Sequence, residues 1–267
     1  MRDAATNAIE ALAQGQIDVL IFDAYLMSDG VVEDAATAGV TAVFRDGRPY
    51  GPEAITIDPN PGASDAAGVL SGPTYMPLAR PFAALHDEAR HYEYSKADPV
   101  NVLVAFGARD GADITSAVLD EMNKLSRPPR TKVVLASSSV HAKTVAAKVA
   151  EFSWVEILEA QHDIDALLGG FDLAIGAPGV SQFERACCGL PTILVPQNEK
   201  QKPLAGDWAN SGAAICSSVA PGAIASALIS LLGNPSRIAE IRQRCLSMVD
   251  GRGAARLSEA LKQRAVR

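Results

Sequence analysis

The sequence has few of the residues that build metal sites and disulfide frameworks. Its 267 residues include four cysteines and four histidines. Cys187 and Cys188 are adjacent, no Cys-x-x-Cys pair occurs, and the histidines stand at no metal-ligand spacing. These spacings argue against a zinc site. We therefore predict reduced, mostly buried thiols, no metal and no cofactor.

Clusters of positive charge and long apolar runs are also absent. The formal net charge is −7, from 24 basic and 31 acidic residues, and no run of Lys or Arg forms a stripe. Phosphate contacts need clustered positive charge, so we predict no nucleic-acid partner. No apolar run approaches the roughly 20 residues of a membrane span, and residues 1–16 lack the apolar core of a signal peptide. We expect a cytoplasmic protein without a membrane partner.

A regular alternation of strand and helix patterns begins after Pro99. Six apolar runs typical of buried strands alternate there with helical patterns, which predicts βαβ units and a parallel, doubly wound sheet. We expect an α/β fold with a complete Rossmann-like domain at residues 100–250 and a final helix, 251–267, that packs back. Only about three strands precede residue 90. Residues 1–90 should form an incomplete Rossmann-like domain, joined by a linker at 91–99. If the chain begins at Met1, the sheet of this domain has an unpaired edge, and we then expect a partner chain, such as a second copy, to cover it.

The segment FDLAIGAPGVSQFERACCGLPTILVP, at Phe171–Pro196, combines a buried strand, a tight loop and a helix. Ligands of open parallel sheets bind beyond the carboxyl ends of the strands, where a helix start offers N–H groups and a positive dipole to a diphosphate. Gly179 allows the backbone to approach such a ligand closely. Ser181 and Glu184 have the spacing of a capping box, so Glu184 is either a structural cap or an acceptor for the hydroxyls of a ribose. Spacing alone favours the cap.

Polar residues also follow other strand candidates. Gln197, Asn198 and Gln201 come after the next strand, where they are either pocket residues or a solvated loop. FGARDGADIT, at Phe106–Thr115, is either a second anion site or a plain strand–helix turn, with Asp113 as its expected N-cap.

Two segments near the start of the chain carry further candidates. Asp23 follows the first strand and either faces a ligand cleft or forms a turn. The segment Ile57–Phe82 has the composition of a loop or linker. Its candidate cleft residues are Asp58, Asn60, Tyr75 and Arg80.

Six segments resemble one known family in their order and spacing. They are FDAY at Phe22–Tyr25, IDPNPGA at Ile57–Ala63, GPTYMPLARPF at Gly72–Phe82, VLVAFGARD at Val102–Asp110, APGVSQFERACCGLPTILVP at Ala177–Pro196 and DGRGAARL at Asp250–Leu257. The family is the UDP-sugar hydrolase of pseudaminic acid biosynthesis, which releases UDP from UDP-2,4-diacetamido-2,4,6-trideoxy-β-L-altropyranose. The third quarter of the chain also resembles the C-terminal domain of the peptidoglycan UDP-N-acetylglucosamine transferase. Both resemblances imply a GT-B fold, which has two Rossmann-like domains.

The resemblance implies roles for particular residues. Glu184 would bind the uridine ribose, which reverses the preference for a cap. The phosphate loop would comprise Gly179, Val180 and Ser181. The other implied binding residues are Gly107 after the domain's first strand, Gln201, and, near the sugar, Gly72, Tyr75 and Arg80. The ligand implied is a UDP-sugar.

The chain departs from the family at its catalytic candidates. The Gly-x-Gly-His-x-x-x-Arg loop of family members has no counterpart, and the usual Asp-His-Tyr is here Asp23-Ala24-Tyr25. The usual Gly-Gly-Ser-Asp is Gly107-Ala108-Arg109-Asp110. Acid–base catalysis needs a titratable group within hydrogen-bond reach. We therefore name Asp23, Tyr25 and Asp58 as catalytic candidates, with Asp46 as a further carboxylate to test.

Three functions are consistent with this sequence. The first is metal-free hydrolysis of a UDP-sugar, in which water attacks the anomeric carbon and UDP leaves. The second is a GT-B glycosyltransferase that uses the same donor with a different acceptor. The third is a catalytically impaired homologue that only binds the nucleotide sugar.

Overall fold

The computed structural model describes residues 2–23, 28–44, 50, 54–91, 100–107, 110–159 and 165–265. The chain divides into two compact units. Unit 1 comprises Met1–Leu78 and Arg252–Arg267, and unit 2 comprises Ala79–Gly251.

Each unit combines parallel strands with helices. The strands are β1 (Leu20–Phe22), β2 (Thr41–Phe44), β3 (Ala54–Asp58), β4 (Val69–Ser71), β5 (Asn101–Ala105), β6 (Arg130–Leu135), β7 (Val155–Glu159), β8 (Leu173–Gly176), β9 (Thr192–Leu194) and β10 (Ile215–Cys216). The helices are α1 (Arg2–Ala13), α2 (Asp29–Ala38), α3 (Pro81–His91), α4 (Ile114–Asn123), α5 (Ala142–Ala150), α6 (Asp165–Leu168), α7 (Val180–Cys187), α8 (Gln201–Asn210), α9 (Ala223–Leu232), α10 (Pro235–Met248) and α11 (Gly253–Ala265). A short 3-10 helix covers Pro73–Tyr75.

Unit 1 is built on a four-stranded parallel sheet in the order β1-β2-β3-β4. Successive side chains of a strand point to opposite faces. Val43 and Ala54 accordingly join a core with the α2 residue Val32, whereas Ile55 and Ile57 join a second core with Leu257 of α11. Helices therefore pack on both faces of this sheet, as is usual when all strands are parallel.

The edge strand β1 pairs with β2 alone within the described part of the chain. Its Ile21 side chain is 53% exposed. A second copy that covers this edge stays a prediction.

The final helix α11 is anchored to unit 1 by a close backbone approach. A Cβ at Gly253 would lie 2.1 Å from the carbonyl oxygen of Met76, so only glycine fits there. One turn later, Arg256 Nη1 donates a hydrogen bond of 2.9 Å to the carbonyl oxygen of Thr74. These contacts give a physical reason for the glycine-rich segment DGRGAARL.

Unit 2 is built on a six-stranded parallel sheet in the order β10-β9-β8-β5-β6-β7. The chain first runs outward from β5 through β6 to β7, then returns to the other side of β5 and continues through β8, β9 and β10. This reversal makes a topological switch point between β5 and β8, where open α/β sheets bind ligands. The prediction of a parallel, doubly wound sheet is confirmed.

Helix α3 belongs to unit 2, although the sequence analysis placed residues 81–90 in the first domain. The thiol of Cys187 donates a hydrogen bond of 3.4 Å to the carbonyl oxygen of Phe82, and the His86 ring nitrogen Nδ1 donates one of 3.1 Å to the carbonyl oxygen of Cys187. Arg242 Nη2 donates one of 2.6 Å to the carbonyl oxygen of Ala89. These bonds to α7 and α10 move the division to Leu78–Ala79. The predicted linker lies almost wholly at residues 92–99, outside the described ranges.

Candidate functional site

The loop after β8 leads directly into helix α7 at the switch point of unit 2. Strand β8 is buried throughout, and the loop residues Ala177 and Pro178 are buried as well. Val180, the first residue of α7, is 59% exposed, so the helix starts at the surface. The first N–H groups of a helix have no intrahelical acceptor. Gly179 occupies the N-cap position and has no side chain that could satisfy them. Its carbonyl oxygen accepts a hydrogen bond of 2.9 Å from the Gln182 N–H, so the N–H groups of Val180 and Ser181 are those that a ligand could use.

The capping box expected from Ser181 and Glu184 does not form. Ser181 lies inside α7 rather than at its N-cap, and its hydroxyl oxygen accepts a hydrogen bond of 3.2 Å from Arg185 Nη1. The Glu184 carboxylate has no hydrogen bond or ion pair with any residue in the described ranges. The cap interpretation is therefore wrong, and this carboxylate is available to a ligand.

Burial raises the pKa of Glu184, an effect that neighbouring Arg185 opposes and Asp165 reinforces. A carboxylate that is partly shielded from water and lacks protein donors gains free energy when a ligand brings O–H groups to it. The environment of Glu184 is consistent with such a ligand.

Arg185 lies beneath the β8–α7 loop and is 2% exposed. Its Nη2 donates a hydrogen bond of 2.7 Å to the carbonyl oxygen of Ala177, and its Nε donates one of 3.2 Å to Gln182 Oε1. Burial lowers the pKa of Arg185 to about 10, partly opposed by the nearby Glu184 carboxylate. The guanidinium therefore keeps its charge at neutral pH.

Gly176 makes room for this guanidinium at the end of β8. A Cβ there would lie 2.6 Å from the carbonyl oxygen of Ala105 and 2.9 Å from Arg185 Nη1. Neither Gly176 nor Arg185 was a predicted site residue. The available signal was an arginine four residues after Ser181, within a short helix whose other members are largely apolar or polar and uncharged.

The side chain of Gln197 joins the loops after β5 and β9. From the sequence, Gln197 was predicted only as one of three polar residues after a strand, together with Asn198 and Gln201. Gln197 Nε2 donates a hydrogen bond of 2.6 Å to the carbonyl oxygen of Phe106. Gln201 Oε1 accepts one of 2.8 Å from the Gln197 backbone N–H, so this side-chain oxygen stabilises its own loop. Gly107, with φ of 77°, lies exposed just after β5.

The start of α4 is closed by a carboxylate of the protein itself. Asp110 is 2% exposed, and its two oxygens accept hydrogen bonds of 3.0 and 2.9 Å from the N–H groups of Ile114 and Thr115. Asp113 stands at the N-cap position in a left-handed conformation and makes no capping bond, so its predicted capping role is wrong. Because Asp110 occupies these N–H groups, α4 does not offer the second anion site considered above.

Four of the candidates in unit 1 lie at the carboxyl-end edge of its sheet, at the end of β3 or just after β1, β3 and β4: Asp23, Asp58, Asn60 and Tyr75. Asp58 is 5% exposed, and its Oδ1 accepts hydrogen bonds of 3.1 and 2.8 Å from the backbone and side chain of Asn60. Tyr75 packs against the core that contains Ile57 and Leu257. Asp58 and Tyr75 therefore contribute to the fold of unit 1.

Asp23 and two further candidates lie within the described residues. Asp23 is exposed at the end of β1, Gly72 has φ of 93° at the start of the 3-10 helix, and Arg80 is exposed in unit 2. Tyr25, Asp46, Ala108 and Arg109 lie outside the described residues. Within the described ranges, no group of three or more His, Cys, Asp or Glu side chains could hold a metal ion, and no helix is long and apolar enough to cross a membrane.

Comparison with known proteins identifies the fold. No family model matches the chain. A stretch of 149 residues is 30% identical to the spore coat polysaccharide biosynthesis protein SpsG of Bacillus subtilis. This stretch covers 55% of this chain and 43% of that protein. The chain thus spans less than half the length of this relative.

Two solved structures match nearly the whole chain. MurG of Acinetobacter baumannii has a TM-score of 0.70 and 15% identity, with coverage of 97% of this chain and 79% of that one. The UDP-GlcNAc 2-epimerase of Neisseria meningitidis bound to UDP-GlcNAc has a TM-score of 0.64 and 13% identity, with coverage of 98% and 82%. The chain therefore has the GT-B fold, as the sequence analysis predicted.

Proposed function

We propose that unit 2 binds the UDP part of a UDP-sugar at the start of α7, and that the protein acts on this nucleotide sugar in polysaccharide biosynthesis. The observation that carries the proposal is the start of α7 without a side-chain cap at the switch point, together with the Glu184 carboxylate one turn further on, which makes no hydrogen bond or ion pair with any described residue. The likeness to an epimerase bound to UDP-GlcNAc and to a polysaccharide biosynthesis protein supports it.

Each part of UDP has a chemically suitable partner in this proposal. The diphosphate is bound by the N–H groups at the start of α7, where the helix dipole favours negative charge. The ribose hydroxyls donate to the Glu184 carboxylate. The base lies towards the exposed Gly107 after β5. Helix N–H groups that hold the diphosphate also stabilise the charge that develops on UDP as a leaving group.

The specific reaction that we propose is hydrolysis of UDP-2,4-diacetamido-2,4,6-trideoxy-β-L-altropyranose, a step of pseudaminic acid biosynthesis for surface glycans such as those of flagellin. The resemblance of six segments to that hydrolase family supports it. Water attacks the anomeric carbon, the bond from that carbon to the phosphate oxygen breaks, and a proton passes from the water to a base. Asp23, Tyr25 and Asp58 are the bases to test.

Titration calorimetry with UDP, uridine and ADP tests the binding step. We expect UDP to bind best, and the E184A variant to lose affinity for UDP and uridine alike. The E240A variant is the matched control, because Glu240 is an exposed glutamate on α10 that pairs with Arg237. Failure of UDP to bind the unaltered chain would contradict the proposal.

Incubation with the UDP-linked altrose derivative tests the reaction. Release of UDP in water without any acceptor supports the hydrolase. Release that requires a sugar or protein acceptor would assign the chain to the transferases instead. UDP binding without turnover on any UDP-sugar would leave a nucleotide-sugar-binding homologue.

A further inference from the structure

We propose that Arg185 is a positioning residue for the diphosphate of UDP. Its guanidinium orients the Ser181 hydroxyl towards the diphosphate. It also stabilises the negative charge of the diphosphate from beneath the β8–α7 loop, without touching the ligand. This inference rests on the proposed function, because it assumes that UDP binds at the start of α7. It adds a residue that none of the sequence motifs singled out.

The hydrogen bond from Arg185 restricts the direction of the Ser181 hydroxyl. Because Arg185 Nη1 donates to the hydroxyl oxygen at 3.2 Å, Ser181 must direct its own hydrogen elsewhere. A helical serine commonly donates to the carbonyl oxygen four residues earlier, which here is Ala177. Arg185 Nη2 already donates to that oxygen at 2.7 Å. This carbonyl oxygen can accept a second hydrogen bond, but Arg185 competes for it, so in our proposal the hydroxyl hydrogen turns to a phosphate oxygen when UDP is bound.

The guanidinium of Arg185 is also a buried cation. A buried cation costs free energy unless an opposite charge compensates it. Within the described residues, the three hydrogen bonds of this guanidinium go to uncharged oxygens of Ala177, Ser181 and Gln182. The nearby Glu184 carboxylate interacts with it only electrostatically. A diphosphate at the start of α7 would bring two or more negative charges close to this cation.

The backbone also leaves space for the guanidinium. Gly176 leaves the space that a Cβ would fill at 2.9 Å from Arg185 Nη1, and Gly179 leaves the helix start without a side-chain cap. The loop thus packs against the Arg185 guanidinium on one side, and on the other side it leaves the start of α7 without a side-chain cap. This combination is unnecessary for a turn that only connects a strand to a helix.

The test compares UDP with uridine, which lacks the diphosphate. In the R185K and R185Q variants we expect the Kd for UDP to rise about tenfold, or ~1.4 kcal/mol, and the Kd for uridine to stay within about twofold. The matched control R237Q removes an exposed arginine of α10 and should change neither value. A loss of stability with equal weakening of UDP and uridine would indicate a purely structural role and overturn the inference.

A double-mutant cycle tests the orientation of the hydroxyl. R185K should weaken UDP binding by about tenfold alone and by about twofold in the S181A background, because the hydroxyl that it positions is then gone. Additive losses would overturn the orientation argument. Circular dichroism and thermal unfolding identify any variant that does not fold.

The unaltered protein provides a measurement that does not depend on folding of the variants. The Nε–H resonance of Arg185 should shift when UDP is added and stay unchanged with uridine. No shift at saturating UDP would contradict the inference while leaving the proposed function intact. If UDP does not bind at all, the proposed function fails first.

Discussion

Two helices start at the same edge of the unit 2 sheet, and they differ in how their first N–H groups are satisfied. Helix α4 is closed by the buried carboxylate of Asp110, which accepts from two N–H groups. Helix α7 has only Gly179 at its N-cap, with Arg185 buried beneath the loop. Both follow neighbouring strands at the switch point. On the function proposed above, the difference decides which helix start can bind an anion, because only the start of α7 is left without a side-chain cap.

The electrostatic surroundings of the two starts reinforce this difference. At α4 the protein supplies a negative charge of its own, which would repel a phosphate. At α7 the Arg185 guanidinium bonds to the loop and to the Ser181 hydroxyl, and the nearby Glu184 carboxylate lies one turn into the helix. Substitutions that alter one start and not the other therefore test whether the comparison is correct.

The largest effect is expected from closing the space beneath the α7 start. In the G176A variant the new Cβ would meet the Ala105 carbonyl oxygen at 2.6 Å and Arg185 Nη1 at 2.9 Å. Because backbone cannot easily yield, we expect about 2–3 kcal/mol of lost stability and no measurable UDP binding. Denaturant unfolding and calorimetry measure the two effects. The control is G206A in α8, where a Cβ meets nothing within 4 Å and should be neutral or stabilising.

The next effect concerns the carboxylate on α7. E184A removes the proposed acceptor of the ribose hydroxyls, and hydrogen bonds to a charged group contribute about 1.5–3 kcal/mol. We therefore expect the Kd for UDP to rise roughly 10- to 100-fold, with a similar loss for uridine. An E184A variant that binds uridine as well as the unaltered protein does would place the ribose elsewhere.

A smaller effect is expected from removing the carboxylate of Asp110, which caps the start of α4. D110A removes a buried cap and should cost about 1–2 kcal/mol of stability, while UDP affinity stays within about twofold. D110N, which keeps one side-chain oxygen acceptor, should lose less. The decisive measurement is the stoichiometry of UDP binding. A second bound UDP in D110A would show that an uncapped start suffices without a buried arginine.

The sequence was informative about the fold because patterns of apolar residues are local. The alternation after Pro99 predicted the parallel sheet of unit 2, and the motif at Phe171–Pro196 correctly marked the strand, loop and helix at the switch point. The capping prediction for Ser181 failed because α7 begins earlier, with Gly179 at its N-cap. Asp113 does stand at the predicted N-cap of α4, but its backbone is left-handed, and Asp110 accepts from the N–H groups that it was expected to cap.

The parts of the site that sequence reasoning missed depend on contacts between segments. Gln197 reaches the Phe106 carbonyl oxygen across 91 positions of the chain, which no local spacing indicates. Gly176 is required by the Ala105 carbonyl oxygen of a neighbouring strand. The boundary at residue 90 was displaced for the same reason, since α3 is held by Cys187 and Arg242.

The smallest effect concerns the stability of the ligand-free protein. Burial raises the pKa of Glu184, so between the unfolded and folded pKa values the unfolded chain loses its proton first, and stability falls as pH rises through this range. Above this pH range, the folded protein contains an ionised and partly buried carboxylate, which lowers its free energy of unfolding. E184Q should therefore raise the Tm of the ligand-free protein slightly at neutral pH and leave it unchanged at acidic pH, while it weakens UDP binding.

The opposite result would change the interpretation of α7. If E184Q lowered the Tm at neutral pH, Glu184 would be a stabilising group of the fold, equivalent to Asp110 at α4, and the comparison between the two helix starts would fail. E240Q on α10 is the control, because this exposed glutamate pairs with Arg237 and should show no gain in Tm. A gain in stability together with a loss of UDP affinity is the result expected of a residue kept for ligand binding.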